Sequence, residues 1–569
     1  MGDVFEFLID GTSGLVPGGV DGKALVAGVC SKGQVGKGYL IGKRTDLEAT
    51  LGVGPLVDRL KDILVTAGQD PYLVAVPVAG QPAGYISAPV GKGVNVVKVV
   101  PRAIGVAQKN ADIVLEIVSA GQVGVATGKV STDDGKTYGS AQAIAASFTI
   151  PETGATLIFG ETEYLEAGDS YHCITRTSVG PVIRYGNGPQ ITVAGTVLAG
   201  AEIMLQIVSP GERNAGTFRL SVDGGDNYAL ARTIPVDGVY ELREYGVSIQ
   251  FPQGEYEGGA TYECRLLPPA PSIVDVMTAL EKPLALYDVE FVHIAGESDS
   301  VDWAAGAALM DELWNAHRPT YVKFETRLPR DDEDLNDFTA YLLAEKSDFA
   351  ARFVQVCCQF GEVSETTGLR KLRNWAGLQS GRVIAVPVQR ATGRVRDGNI
   401  VPGVLPDGWE AVQPTLEDAG YLTAKKYAGL SGAYWGDSRT MAEVTSDYRY
   451  EEVLRVTFKA TRLLRIQALK SMYDEAGDPL NMEKGGGLDY LKANLENALD
   501  TMTGAIPKEL AAYVIEIPPG QDIANNGVVA EYTLIGIPII RQIKLYGKYV
   551  YAGSRFDPRL SSTQYGLAA

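Results

Sequence analysis

The apolar positions between residues 24 and 77 follow two different rhythms. ALVAGVCS is an almost unbroken apolar run, DLEATLGVGPLVDRLKDILVTAG places its apolar residues at helical spacing, and PYLVAVPV is a run again. That order predicts strand, loop, helix and strand, a βαβ unit whose strands are buried on both faces. The alternation resumes far downstream, where VEFVHIAG, SVDWAAGAALMDELWNAH, YVKFETR, DEDLNDFTAYLLAEKS and FVQVCCQFG read as strand and helix in turn through about residue 361. The expected fold class is an α/β core, a parallel or mixed sheet with flanking helices, and that core is discontinuous.

The intervening stretch repeats itself. IVLEIVSAG from Ile113 returns as IMLQIVSPG from Ile203, VSTDDGKTYG from Val130 as LSVDGGDNYA from Leu220, and GDSYHC ending at Cys173 as GATYEC ending at Cys264. The offset is 90 to 91 residues, and each unit alternates short strands with Gly and Asp turns. An inserted tandem pair of β-sandwich-like domains is expected, with core residues 21–104, repeats at 105–185 and 186–270, and the core resuming over 271–540. Each repeat carries Ser-x-Asp-x-Gly-x-x-Tyr, as Ser131, Asp133, Gly135 and Tyr138, then Ser221, Asp223, Gly225 and Tyr228. The pattern resembles the Asp-box turn of sialidase blades. Physically it is a hairpin lock, the carboxylate accepting local N–H groups while Gly takes a positive φ.

Composition narrows the function. The chain has 569 residues, 45% of them apolar and 21% charged, enough to bury several cores and too apolar for general disorder. With 69 Asp and Glu against 51 Lys and Arg the net charge is −18, which would repel a phosphate backbone, so no direct nucleic-acid partner is expected. No apolar run reaches the roughly 18–20 residues of a spanning helix, so no membrane insertion is expected. Asp3, Glu6 and Asp10 stand where a secretory leader would have basic and then apolar residues. Five cysteines, none in CxxC, make no disulfide framework and suit a reducing cytoplasm.

Catalytic patterns are sparse. GQVGKG around Lys37 falls short of a phosphate loop, because Ser31 stands where the first Gly belongs and Gly38 where the magnesium-binding hydroxyl belongs. His172, His293 and His317 are scattered, Cys357 and Cys358 are neighbours on one strand, and there is no GxSxG. Asp331 and Asp332 open a helix, where acidic residues complement the macrodipole. No catalytic residue, metal site or cofactor is expected, and the chain reads as structural rather than enzymatic.

One stretch is basic. Residues 448–473 have helical periodicity and place Arg455, Lys459, Arg462, Arg465 and Lys470 within an arc of roughly 140°. Val453, Val456, Ala460, Leu463 and Leu464 lie opposite, so the helix is expected to dock by its apolar side and turn its cations outward. A solvated face and a surface for an acidic protein partner are both compatible with this. Arg541, Lys544, Lys548, Arg555 and Arg559 continue the bias near the end.

Three segments, taken in order, carry a family resemblance. ALVAGVCSKGQVGKGYLIGKRTDLEATLG, then GLSGAYWGDSRTMAEVTSDYRYEEVLRVTFKATR, then QDIANNGVVAEYTLIGIPIIRQIKL resemble the contractile tail sheath family of bacteriophages and related injection machines, in its uncharacterised-type branch. The resemblance covers about residues 20–90 and 270–550. One departure is Leu454, which precedes Arg455 where the family often has a second Arg. The resemblance implies a virion tail subunit, made in the host cytoplasm, that forms a helical homopolymer around a tail tube and shortens by rigid-body rearrangement. Its implied partners are other copies of itself, the tube protein, and baseplate and tail terminator proteins; Arg455, Lys459, Arg462 and Arg465 would face the tube. Extended apolar termini suit strand addition to a neighbouring subunit, through Val4, Phe5 and Phe7 in an N-terminal arm (1–20) and Tyr549, Val550 and Tyr551 in a C-terminal arm (541–569). The inserted repeats are expected on the outside. Two alternatives are a glycan-active or carbohydrate-binding protein built on the repeats, and the sheath of a type VI or extracellular injection system.

Overall fold

Six strands build the central sheet of the computed structural model, in the order Tyr39–Ile41, Tyr72–Val78, Lys23–Val29, Phe291–Ser298, Tyr321–Thr326 and Val354–Cys357. The model describes residues 19–93, 99–478, 480, 486–554 and 556–559. All neighbouring pairs are parallel except the edge strand Tyr39–Ile41, which runs antiparallel to Tyr72–Val78. Lys23–Val29 lies at the centre, with Ala24 paired to Leu73 on one side and Phe291 on the other. The sheet thus joins residues separated by the whole insertion. Nearly every side chain on these strands is buried, which is why they appear as continuous apolar runs.

Helix Pro55–Thr66 begins with Pro in its first turn and buries Leu56, Leu60 and Ile63 at i, i+4 and i+7. Against it packs helix Ala376–Ala385, which exposes no Cβ at the contact: one added to Gly381 would stand 2.6 Å from Ile63 O. Helices Ser300–Asn315 and Leu335–Ser347 both start with reciprocal capping boxes, Asp299 with Asp302 and Asp334 with Asp337. The acidic run after Asp331 is therefore a helix start, as its position suggested.

The insertion leaves after Val78 and returns before helix Ile273–Leu286. Its two connecting strands are stitched together at the base, where Gln81 and Ala270 exchange backbone hydrogen bonds of 2.9 and 3.2 Å. Each repeat packs a large and a three-stranded sheet around a core of its own, and the first adds the two-stranded pair Gly121–Gln122 with Tyr164–Leu165. The first repeat centres on Ile113, Leu115, Phe148 and Tyr171, the second on Ile203, Leu205, Phe218 and Tyr262. The first begins earlier than the pattern suggested: Gly84–Ile86 and Val90–Lys92, inside the span assigned to the core, pair with Ser170–Thr177 of the repeat. Strands of three residues are too short to show a period of two.

The chain divides into two compact units, Met1–Gly536 and Ile537–Ala569. In the first, helices Glu451–Leu469 and Gly487–Thr503 pack together and are followed by the antiparallel pair Ala512–Glu516 and Glu531–Ile535. In the second, residues 537–550 have no regular secondary structure, and Leu545 and Tyr549 are 89% and 83% exposed. Among the described residues no helix is long and apolar enough to cross a membrane.

Candidate assembly interface

Helix Glu451–Leu469 is held on two apolar sides. Leu454 and Phe458 enter the main core, while Val456, Ala460 and Leu464 meet Leu495, Ala498, Leu499 and Met502 of the following helix. Val453, expected on the docking face, is instead exposed. Between those sides runs the row Arg455, Lys459 and Arg462, and it turns toward acidic residues of the same chain.

Arg455 corrects the expectation of a tube-facing cation. It is only 2% exposed and its Nε donates to Glu290 Oε1 at 2.6 Å. Burial opposes the charge, but Glu290 outweighs it and raises the guanidinium above its ordinary pKa. Glu290 also accepts the Gly22 N–H at 2.5 Å. Periodicity placed Arg455 among cations correctly; it could not show that Glu290, just before strand Phe291–Ser298, waits beneath them. Lys459 sits between Asp21 Oδ2 at 2.6 Å and Glu509 Oε1 at 2.7 Å. Arg462 reaches Asp288 at 3.2 Å. Arg465 and Lys470 are exposed.

Under the helix start lies a buried polar array. Tyr321, Lys323 and Glu325 alternate on one face of their strand. Lys323 Nζ is 2.7 Å from Glu451 Oε1, to which the Tyr321 hydroxyl donates at 2.8 Å. Burial alone would push Glu451 up, but Lys323 and its hydrogen bonds hold it below the usual carboxylate range. Glu325 takes a two-pronged bond from Arg59 at 2.6 and 2.7 Å, and His293 Nε2 lies 2.9 Å from Glu325 Oε1. Burial lowers the His293 pKa despite that carboxylate. The histidine bridges Glu325 and Ser380, locking sheet to helix.

A cavity of about 110 Å³ opens beyond the carboxyl ends of the central strands, below the second repeat. Its charged lining is largely paired within the chain, including Arg59 with Glu325 and Arg373 with Asp62 at 2.5 Å. Asp331 ties both repeats to the core, holding Arg176 of the first at 3.3 Å and Arg265 of the second at 3.0 Å. Nothing in the sequence marked that role, because the three residues are far apart in the chain. Among the described residues no three His, Cys, Asp or Glu side chains gather as a metal site.

The two Asp-box-like turns have the same wiring. Ser131 donates to Asp133 at 2.7 Å and Ser221 to Asp223 at 2.6 Å, while Gly135 and Gly225 each donate N–H to that Ser Oγ at 2.9 Å. Both glycines have positive φ. Lys129 covers the Tyr138 ring and Arg219 the Tyr228 ring. Among the described residues only the second turn docks on the core: Asn227 Nδ2 donates to Gly368 O at 3.1 Å and the Arg370 N–H donates to Asp223 at 3.4 Å. Among the predicted arm residues, Tyr549 and Tyr551 are exposed and stack edge to face, Val550 is half-buried, and Val4, Phe5 and Phe7 lie outside the described residues.

The chain thus has a core split by a duplicated β insertion, followed by a C-terminal helical pair. The chain belongs to the DUF2586 family: its N-terminal domain matches residues 1–439 and its C-terminal domain residues 447–554. No curated protein matches the chain. Among solved structures, the sheath tail protein of Desulfitobacterium hafniense is similar at 12% identity and a TM-score of 0.41, over 94% of this chain and 100% of that one. The sheath tail protein Lin1278 of Listeria innocua is similar at 9% identity and a TM-score of 0.40, over 91% and 96%. A chain of the anti-feeding prophage baseplate shares 16% identity at a TM-score of 0.37, over 51% of this chain and 76% of that one.

Proposed function

We propose that this protein is the structural subunit of a contractile tail sheath, polymerising helically around a tail tube and shortening by rigid-body rearrangement between subunits. The observation that carries the reading is the C-terminal segment. Ile540, Ile543, Leu545, Tyr546, Tyr549 and Tyr551 are exposed on a stretch without regular structure, interspersed with Lys544 and Lys548. Apolar side chains in that state are suited to adding a strand to another copy, and a head-to-tail contact of this kind propagates as a filament. The rigid core, cross-tied by buried ion pairs, suits a body that rotates without deforming. The inserted repeats would lie at the outer radius, where two added lobes leave a tube undisturbed. Arg465 remains as an outward cation for an acidic tube surface.

The Asp-box-like turns weigh against a glycan-binding role. The carboxylates of Asp133 and Asp223 are occupied within the chain: Asp133 accepts from Ser131 and Thr137 of its own turn, and Asp223 accepts from Ser221 and Asn227 and from the Arg370 N–H of the neighbouring hairpin at 3.4 Å. Electron microscopy of the purified protein tests the proposal. Striated tubes are expected from the full chain, and truncation after residue 536 should leave a folded subunit that forms none. Full-length protein that stays monomeric at high concentration, or a truncation that still builds tubes, would overturn the reading.

A further inference from the structure

Helix Ser300–Asn315 ends against the basic helix, and the chain turns sharply at His317, whose φ is +63°. Trp314, His317 and Pro319 there face Thr461, Arg462 and Arg465, and together they line a cavity of about 120 Å³. The volume admits the head of one side chain rather than a whole metabolite, which takes roughly 300 Å³ or more. Its walls are cationic and aromatic.

The positive charge is undercompensated. Arg318 and Arg462 share a single carboxylate, Asp288, at 3.7 and 3.2 Å. Arg465 is exposed, and among the described residues its side chain has no hydrogen-bond or ion-pair partner. Arg462 is stranger still. Its side chain is 10% exposed, its Nη2 donates to Asp288 and to Val289 O, both at 3.2 Å, and among the described residues its Nε has no acceptor. Burial, only partly offset by Asp288 and, farther off, Glu290 and Asp21, holds its pKa below the ordinary value. A buried guanidinium with an orphan donor is the part of this surface most in need of an anion.

We infer that this cavity receives the carboxylate of an Asp or Glu side chain on an acidic protein partner, with Arg462 and Arg465 as its cationic jaws and the Trp314 indole as its apolar wall. A carboxylate is planar and accepts two N–H groups at once, the geometry that paired guanidinium groups recognise. The methylene stem behind it would lie along the indole. A nucleic-acid phosphate is disfavoured by the net charge of −18. The inference rests on the sheath reading for the partner's identity, the tube, but the pocket itself requires only an exposed acidic side chain.

Acetylated tetraglutamate, with tetraglutamine as its uncharged control, is the probe. Titration of each into the full chain would be followed by the Trp314 indole N–H resonance, assigned with Trp314→Phe. Tetraglutamate should shift that resonance and tetraglutamine should not. Arg465→Met, at an exposed position where folding is safe, should weaken binding at least fivefold, and Arg462→Met at least as much. Lys470→Met, on the same helix end but outside the cavity, should change affinity less than twofold. Equal losses from Lys470→Met and Arg465→Met would mean diffuse attraction and overturn the pocket, as would binding of tetraglutamine or an unmoved Trp314 resonance. Micrographs of the same samples separate the two ideas: tubes without peptide binding sink the pocket alone, and peptide binding without tubes sinks the sheath reading alone.

Discussion

Lys459 and Asp21 form an ion pair of 2.6 Å that joins the C-terminal helix to the residues from which the N-terminal segment departs. The same ammonium lies 2.7 Å from Glu509, just ahead of strand Ala512–Glu516. One cation therefore fastens the roots of both terminal regions. Lys459→Met should speed hydrogen exchange at residues 19–24 and 505–511 together, and Lys459→Arg should restore most of the protection. The expected loss of stability is about 1–3 kcal/mol. Faster exchange at only one root would show that the two are not joined through this residue.

Removing Arg455 leaves Glu290 buried and unpaired, an arrangement that costs about 3–5 kcal/mol. Arg455→Met should shift the urea midpoint accordingly. Adding Glu290→Gln removes the stranded charge and keeps an acceptor for Gly22 N–H, so the double variant should regain at least half of the loss. A double variant as unstable as the single would mean that packing around the Arg455 stem, and not charge, sets the cost.

How far the sequence could be read depends on the range of each interaction. The central strands were legible because both faces of the sheet are covered and apolar runs such as YLVAVPV have no other explanation. The repeat was legible because Ile113 and Ile203, or Cys173 and Cys264, recur at one offset. The basic row was visible too, but its direction was not: Arg455 answers to Glu290 and Lys459 to Asp21, partners separated by 165 and 438 residues. Periodicity along a helix records which residues share a face, never what stands opposite. The same limit hid Asp331, whose two arginines lie in different repeats.

The stitched base at Gln81 and Ala270 makes a clean excision possible. Deleting residues 82–269 and joining the ends by a short Gly/Ser linker should preserve a cooperative thermal transition for the core, because the closing distance is that of a paired strand. Tubes should still form, since the insertion is assigned to the outside. A folded deletion variant that forms no tubes would place part of the subunit contact in the repeats.

Stability should also depend on pH through Asp302. Burial, with Asp299 and Glu345 nearby, raises its carboxyl to about 6. The folded state therefore holds a proton that the unfolded chain releases near pH 4. This contribution is present below about pH 4 and is lost as pH rises through 6. Asp302→Asn should flatten the slope of stability between pH 4 and 6, measured by urea titration at each pH, relative to the parent. An unchanged slope would assign that proton to another group.

The twin Ser-x-Asp-x-Gly turns give the molecule an internal control. Their hydrogen bonds agree within 0.1 Å, at 2.7 against 2.6 Å from Ser to Asp and 2.9 Å in both from Gly to Ser, although one turn is docked on the 360–374 hairpin and the other is not. The motif therefore sets its own shape and docking adds nothing to it. Asp133→Ala reports what the lock is worth to a free lobe, and Asp223→Ala reports that quantity plus the grip on the neighbouring hairpin. Their difference isolates the strength of a lobe-to-core attachment inside a single polypeptide, under one buffer and one temperature, with no second protein needed for reference.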